Sequence, residues 1–241
     1  MTRTFDVPYP NGIFTYERVY GGERLIRVLT HKGEEQYYEG EPGAERMVRA
    51  TYPTGQVDFY EGERGAERIV QVVFYDLSTA ARVWREKQFY EGEPGAERMV
   101  RVAYPNGRVT FYEGEPDAER VVRRTSPDGK EEFYEGGPGH ERLVRLLLPA
   151  RGEGERRGEQ YYDGERGAER RMSRLVPLSN GEVRYYEGGP SLQDERLTKT
   201  VDRHGIERYL HAGPRGAERV YLTAGPNFYT VIGDDLGFEE M

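Results

Sequence analysis

The stretch Tyr112-Glu113-Gly114-Glu115-Pro116-Asp117-Ala118-Glu119-Arg120-Val121-Val122-Arg123-Arg124-Thr125-Ser126-Pro127-Asp128-Gly129 decides the fold, because most of the chain is built from copies of it. The tyrosine that opens each copy falls at Tyr16, Tyr38, Tyr60, Tyr90, Tyr112, Tyr134, Tyr162 and Tyr186, with Leu210 in the same place in a ninth copy. Where nothing is inserted, the copies are 22 residues apart. A Glu-Arg pair follows at Glu23-Arg24, Glu45-Arg46, Glu67-Arg68, Glu97-Arg98, Glu119-Arg120, Glu141-Arg142 and Glu169-Arg170. Self-similarity at such a period marks a repeat array, in which each unit buries its apolar surface only against its neighbours.

Each copy holds two runs rich in β-branched and aromatic residues, such as Gln56-Val57-Asp58-Phe59-Tyr60-Glu61 and Arg98-Met99-Val100-Arg101-Val102. Such runs favour extended strands. Glu-Pro-Gly-Ala or Glu-Arg-Gly-Ala separates them, where Pro presets φ and Gly supplies positive φ at the next position. The second run ends in Pro53-Thr54-Gly55, Pro105-Asn106-Gly107 or Pro127-Asp128-Gly129, again turn sequences. Two short turns per copy make every neighbour antiparallel. The expected fold is therefore all-β, an elongated single-layer antiparallel β-meander of about nine two-stranded repeats. A β-propeller with two copies per blade is the alternative, and a closed barrel the third choice.

One array over residues 1–233 is expected. It has a half-repeat at 1–15, repeats over 16–223, inserts at 76–87 and 150–158, a closing strand at 227–232, and an acidic tail at 234–241. Both inserts fall in the turn after the second strand, on the same edge. The first contains the only tryptophan, Trp84, and reads as a short helix or a longer hairpin.

Register follows from the period. Even turns on both edges, with Gly40 opposite Glu45 and Tyr52 opposite Gly55, return each copy to the same place after 22 residues without a bulge. An odd loop on one edge alone would turn alternate copies over. In that register Arg46 lies between Glu39 and Glu61, Arg24 between Glu17 and Glu39, Arg98 between Glu91 and Glu113, and Arg120 between Glu113 and Glu135. A Glu-Arg ladder would cross the sheet, with Val48 between Tyr37 and Phe59 on its face. The other face would carry Tyr38, Met47, Tyr60 and Ile69, with Arg49 opposite Asp58.

Composition narrows the functional classes. Net charge is -8, with 35 basic and 43 acidic residues interleaved, which argues against nucleic-acid binding through phosphate neutralisation. Cysteine is absent, which removes disulfides, cysteine-based zinc sites and thiol catalysis. His31, His140, His204 and His211 show no ligand spacing, so no metal site is expected. No phosphate loop or nucleophile elbow occurs, and the Glu-Arg pairs recur in every copy, whereas a catalytic site is singular. No catalytic residue and no cofactor is assigned. The glycines at Gly40, Gly62, Gly92, Gly114, Gly136, Gly164 and Gly188 have two readings: easing entry into the turn, or leaving a trough beside the tyrosines. The candidate partner-binding residues are Trp84 and Arg85 in the first insert and Tyr38, Tyr60, Tyr112 and Tyr134 along the stripe.

Tyr-Glu-Gly-Glu at 112–115, followed by Pro127-Asp128-Gly129 and the next aromatic-Tyr-Glu-Gly, resembles the MORN repeat over roughly residues 9–213. This chain has Pro42, Arg64, Pro94 and Pro116 where that family has an aromatic, and Glu-Arg in place of its second-strand Gly-x-Gly. The resemblance implies a sheet of hairpins that works as a scaffold, self-associates or associates with membranes. The functional expectation is a non-enzymatic scaffold or adaptor that binds protein partners along its sheet or insert-bearing edge, within a larger assembly. A peripheral lipid or membrane-surface module is the alternative. No leader or membrane span is visible, so an intracellular soluble protein, cytoplasmic by default and with organelle import left open, is expected.

Overall fold

A computed structural model of the chain contains twenty strands and no helix among its described residues, which are 3–78, 83–150, 157–167, 169–175, 182–187, 196–211, 219–225 and 228–231. The chain divides into two compact units, Met1–Arg120 and Val121–Met241. In the first, β1 (Arg3–Tyr9), β2 (Gly12–Val19), β3 (Gly22–Thr30), β4 (Glu35–Glu39) and β5 (Arg46–Thr51) run in meander order. They continue into β6 (Gln56–Glu61), β7 (Arg68–Tyr75), β8 (Trp84–Glu91), β9 (Arg98–Ala103) and β10 (Val109–Glu113). β11 (Arg120–Thr125), β12 (Glu131–Glu135), β13 (Arg142–Leu148), β14 (Gly158–Asp163) and β15 (Arg170–Leu175) begin the second unit's series. It ends with β16 (Val183–Glu187), β17 (Arg196–Val201), β18 (Glu207–His211), β19 (Arg219–Gly225) and β20 (Phe228–Val231).

Successive strands pair antiparallel from β1 through β10, and again from β11 through β20. The propeller alternative falls on this point: its ladder would break at each blade boundary, whereas ten strands of the first unit are hydrogen-bonded in unbroken succession. The first insert extends a hairpin, with Tyr75 opposite Trp84 and the Asp76 N–H donating to the Val83 carbonyl at 2.9 Å. Residues 79–82 at its tip, 151–156 in the second insert, and the tail at 234–241 lie outside the described residues.

The turn chemistry agrees with the sequence on one edge. In Glu41-Pro42-Gly43-Ala44 the Ala44 N–H donates to the Glu41 carbonyl at 2.9 Å, and Gly43 has φ +79°, a type II turn. Gly40 just before it, at φ +128°, would place a Cβ 2.6 Å from the Ala44 carbonyl oxygen. Gly62, Gly92, Gly114 and Gly136 meet the corresponding carbonyl, so these glycines answer a backbone need inside the turn. On the opposite edge the expected even turn is replaced by a three-residue loop. Tyr52 N–H bonds to the Gln56 carbonyl and Gly55 N–H to the Tyr52 carbonyl, with Gly55 at φ +86°.

That odd loop is compensated by a β-bulge. Tyr37 pairs with Arg49 and Tyr38 with Met47, so Val48 is left over. The same irregularity leaves out Ile26, Val70, Val100, Val144, Met172, Thr198 and Tyr221. One extra residue in the loop and one in the strand keep every copy right side up, since each alone would flip the side-chain faces. The bulge overturns two details of the expected register. Arg49, not Val48, lies between Tyr37 and Phe59, and Ala50, not Arg49, faces Asp58. The row Val28, Gln36, Ala50, Asp58, Val72, Gln88, Val102, Thr110 then forms the centre of the first unit, with Gln36 and Gln88 half-buried, the other six buried, and Ala50 only 1% exposed. In the second unit Leu146, Gln160 and Thr200 are the buried residues on the corresponding row.

Below the bulge, pairing between neighbouring repeats stops. β5 and β6 share only Arg49–Phe59, Ala50–Asp58 and Thr51–Val57. The backbone groups beyond are met by side chains of the Glu-Arg pair. Arg46 Nη1 donates to the Gly62 carbonyl at 3.1 Å, and the Met47 N–H donates to Glu67 Oε1 at 3.3 Å. The same two bonds recur as Arg24 to Gly40 with Leu25 to Glu45, Arg68 to Gly92 with Ile69 to Glu97, and Arg98 to Gly114 with Met99 to Glu119. In the second unit Arg142 and Leu143 bond Gly164 and Glu169 in the same way. The expected ladder is thus interrupted. Ion pairs hold within a hairpin, as Arg24–Glu17 (2.6 Å) and Arg142–Glu135 (3.7 Å), while Arg142 also reaches the next repeat's carboxylate, Asp163 at 3.1 Å.

Burial acts to raise the Glu97 carboxyl, but hydrogen bonds from the backbone N–H groups of Glu97, Gly95 and Ile69, with Arg68 nearby, hold it below the usual carboxylate range. Glu45 and Glu141 behave alike for the same reasons. Because the folded values lie below the unfolded ones, this stabilisation is complete above the unfolded carboxylate range near pH 4.3. It is lost as pH falls through the folded values. Thermal unfolding of Glu97→Ala should show a loss of about 1 kcal/mol at neutral pH. Its stability should also fall less steeply on acidification. Glu97→Gln, which keeps an acceptor, should lose less. An alanine variant as stable as the parent would remove the bridging role.

Candidate partner-binding site

The bulge places cations between aromatic rings on the face opposite the tyrosine stripe. Across the first unit one row reads Arg27, Tyr37, Arg49, Phe59, Gln71, Phe89, Arg101, Phe111. The Arg49 guanidinium lies 3.9 Å from the Tyr37 ring centroid, and Arg101 lies 3.9 Å from that of Phe89. Such stacking favours guanidinium over ammonium because the planar group lies flat on the ring. The second unit repeats the arrangement with Arg145 between Phe133 and Tyr161 and Lys199 between Tyr185 and Tyr209.

A groove of about 690 Å³ opens on this face of the first unit. Tyr37, Arg49 and Phe59 line it, with Thr51 and Val57 beside them, and the turn residues Gly33, Pro53 and Gly55 form its rim. The lengthened β7–β8 hairpin adds Tyr75 and Leu77. Gly55 permits that approach, because a Cβ there would lie 2.8 Å from the Tyr75 carbonyl oxygen and 3.0 Å from Leu77. Glu35 also borders the groove, but its oxygens are engaged by the Arg27 guanidinium at 3.1 Å and by the Tyr37 hydroxyl. The Tyr37 hydrogen bond, helped by Arg27 and Arg49 against the effect of burial, holds the Glu35 carboxyl below its usual range. Arg49, close enough to act on Glu35, makes no ion pair of its own among the described residues.

The residues singled out in the sequence fall in two places. Tyr38, Tyr60 and Tyr112 are partly covered on the opposite face of the first unit, and Tyr134 is partly covered in the second. Three of their hydroxyls are engaged along their own strands: Tyr38 Oη donates to Gln36 Oε1 at 2.7 Å, Tyr60 Oη to Asp58 Oδ2 at 3.4 Å, and Tyr134 Oη to Glu132 Oε2 at 2.9 Å. Burial raises the Tyr38 and Tyr60 phenols. Burial, together with the Glu132 carboxylate and against Arg124, pushes Tyr134 up to about 12. Trp84 pairs with Tyr75 and carries the Lys87 ammonium 4.6 Å from its ring, while Arg85 is the exposed extra residue of a bulge beside it. Arg49, Phe59 and Tyr75 were missed as site residues. The available signal was the alternation of aromatic and cation at corresponding places in successive strands, which a register without bulges hides. Among the described residues no group of three or more His, Cys, Asp or Glu is placed to hold a metal ion, and no helix is long and apolar enough to cross a membrane.

No protein-family model and no curated protein matches the chain. Among solved structures it is similar to the crystal structure of TcdB2-TccC3, at 10% identity over 98% of this chain and 16% of that one, with a TM-score of 0.23. It is also similar to the Photorhabdus luminescens Tc holotoxin pore, at 12% identity over 83% of this chain and 15% of that one, with a TM-score of 0.18. The chain spans less than a fifth of the length of either protein, and likeness at this level carries no argument about fold or function.

The phenol assignment is directly measurable. NMR of ring-labelled tyrosines, with the resonance identified by its loss in Tyr134→Phe, should show Tyr134 titrating near pH 12. A midpoint at the ordinary value near 10 would contradict its burial beside Glu132.

Proposed function

We propose that this chain is a non-enzymatic, MORN-like repeat scaffold, intracellular, that holds a protein partner against the Tyr37–Phe59 face of its first unit. The observation that carries the reading is the groove beside the lengthened β7–β8 hairpin. The neighbouring edges at Gly33, Gly55 and Gly107 close in three-residue loops, whereas this hairpin runs on and leaves Leu77 and Val83 52% and 51% exposed. Apolar side chains raised beside an aromatic-lined groove of this volume are suited to a partner's side chain. The charged residues recur as pairs from repeat to repeat and do not converge on one reacting point, which favours binding over chemistry.

Affinity capture with the intact chain, compared with a variant in which residues 77–82 are replaced by Asn-Gly, tests the reading. Asp76 and Val83 already face each other across the hairpin, so the short turn preserves the ladder, and circular dichroism should be unchanged. A partner held by the intact chain and lost from the variant is expected. Equal recovery on both, or sedimentation with anionic vesicles and no protein partner, would favour the lipid-binding alternative or another surface.

A further inference from the structure

In the second unit the cations on the aromatic rows have carboxylate partners. Arg145 pairs with Glu159, Lys199 with Glu207 at 2.7 Å, and Arg123 with Glu131 at 3.8 Å. The first unit begins the same way, with Arg27 on Glu35. From β5 to β10 the pattern changes. The two central rows of that face are Arg49, Phe59, Gln71, Phe89, Arg101, Phe111 and Thr51, Val57, Val73, Lys87, Ala103, Val109. They carry three cations and no acid. Among the described residues Arg49, Lys87 and Arg101 have no ion pair; each rests on a ring, of Tyr37, Trp84 and Phe89 respectively. Only Nε of the Arg49 guanidinium is sealed from solvent without an acceptor, which leaves its Nη groups as the ones a ligand meets. A basic strip is thus set into a chain of net charge -8.

We propose that this strip is the docking surface for an acidic, aromatic-bearing peptide segment of a partner protein, lying across β5 to β9. The inference rests on the scaffold reading and specifies the partner's chemistry. Stacked guanidinium groups are already desolvated on one face, so a carboxylate gains a charge-assisted pair without ordering a long side chain. Arg49 on β5 and Arg101 on β9 are four strand spacings apart, roughly 19 Å. An extended peptide covers that span in about six residues. The groove beside Arg49, walled by Tyr37, Phe59 and Tyr75, receives the aromatic side chain, and the carboxylates fall on Arg49, Lys87 and Arg101. Phosphate-rich ligands fit less well, because the cations are spaced singly among apolar residues.

The probe is a short fluorescein-labelled peptide with aspartates on both sides of a phenylalanine, read by anisotropy against the full chain. Binding is expected to weaken at least about fivefold between about 50 mM and 500 mM salt. It should weaken by a similar factor in Arg49→Gln/Arg101→Gln and in Lys87→Gln, and be unchanged in Arg203→Gln, an exposed cation elsewhere. Replacing the peptide's aspartates with asparagine should abolish binding, and replacing phenylalanine with alanine should reduce it. Circular dichroism separates loss of binding from loss of fold. No binding of the acidic peptide, equal binding of its asparagine form, tighter binding of an oligothymidine, or indifference to the three substitutions would each overturn the proposal. A protein partner captured by the intact chain but insensitive to these substitutions would leave the scaffold reading standing and this inference refuted.

Discussion

Below its bulge, each repeat hairpin parts from its neighbour and leaves backbone N–H and C=O groups that need partners. Unpaired groups of this kind are costly once they are removed from water. The Glu-Arg dipeptide supplies both partners from side chains, as Arg46 reaches the Gly62 carbonyl and Glu67 accepts the Met47 N–H. The dipeptide recurs because every junction between repeats poses the same need. Ion pairing within the hairpin varies from copy to copy, from Arg24–Glu17 at 2.6 Å to Arg68–Glu61 at 3.9 Å with Glu61 exposed, where it contributes little.

The same bulge sorts the two faces. By absorbing one residue between Met47 and Arg49, it sends Ala50 beside Asp58 into the buried row and Arg49 outward between Tyr37 and Phe59. A covered tyrosine face and a cationic, aromatic face follow from one irregularity repeated. Function is then read from the departures. The long β7–β8 hairpin builds a groove at one place on the aromatic face, and the carboxylates that pair the cations elsewhere are missing from β5 to β10.

Much of this was legible in the residues. The strands, the meander order, the type II turn at Pro42-Gly43, and the pairing of Arg46 with Glu39 all follow from period and turn chemistry. The bulge was hidden for a definite reason. A 22-residue repeat results equally from two even turns and from one odd loop with one bulge, so the period cannot separate them. Val48 and Arg49, adjacent and both acceptable on a half-buried strand, gave no polarity signal either. From that slip came the misplaced Val48 and the oversight of Arg49 as a site residue. The insert that carries Trp84 and Arg85 was visible as a break in the period. The division into two compact units has no counterpart in the repeat pattern, which runs through Arg120 and Val121 without a change.

Native-state hydrogen exchange at the Met99 amide tests the bridging account most directly. This N–H donates to the Glu119 carboxylate of the next repeat at 2.9 Å, outside any backbone ladder. The account predicts a protected Met99 amide in the parent chain and rapid exchange in Glu119→Ala, with amides of the β9–β10 rungs such as Val102 still protected. Equal exchange of Met99 in both chains would contradict it.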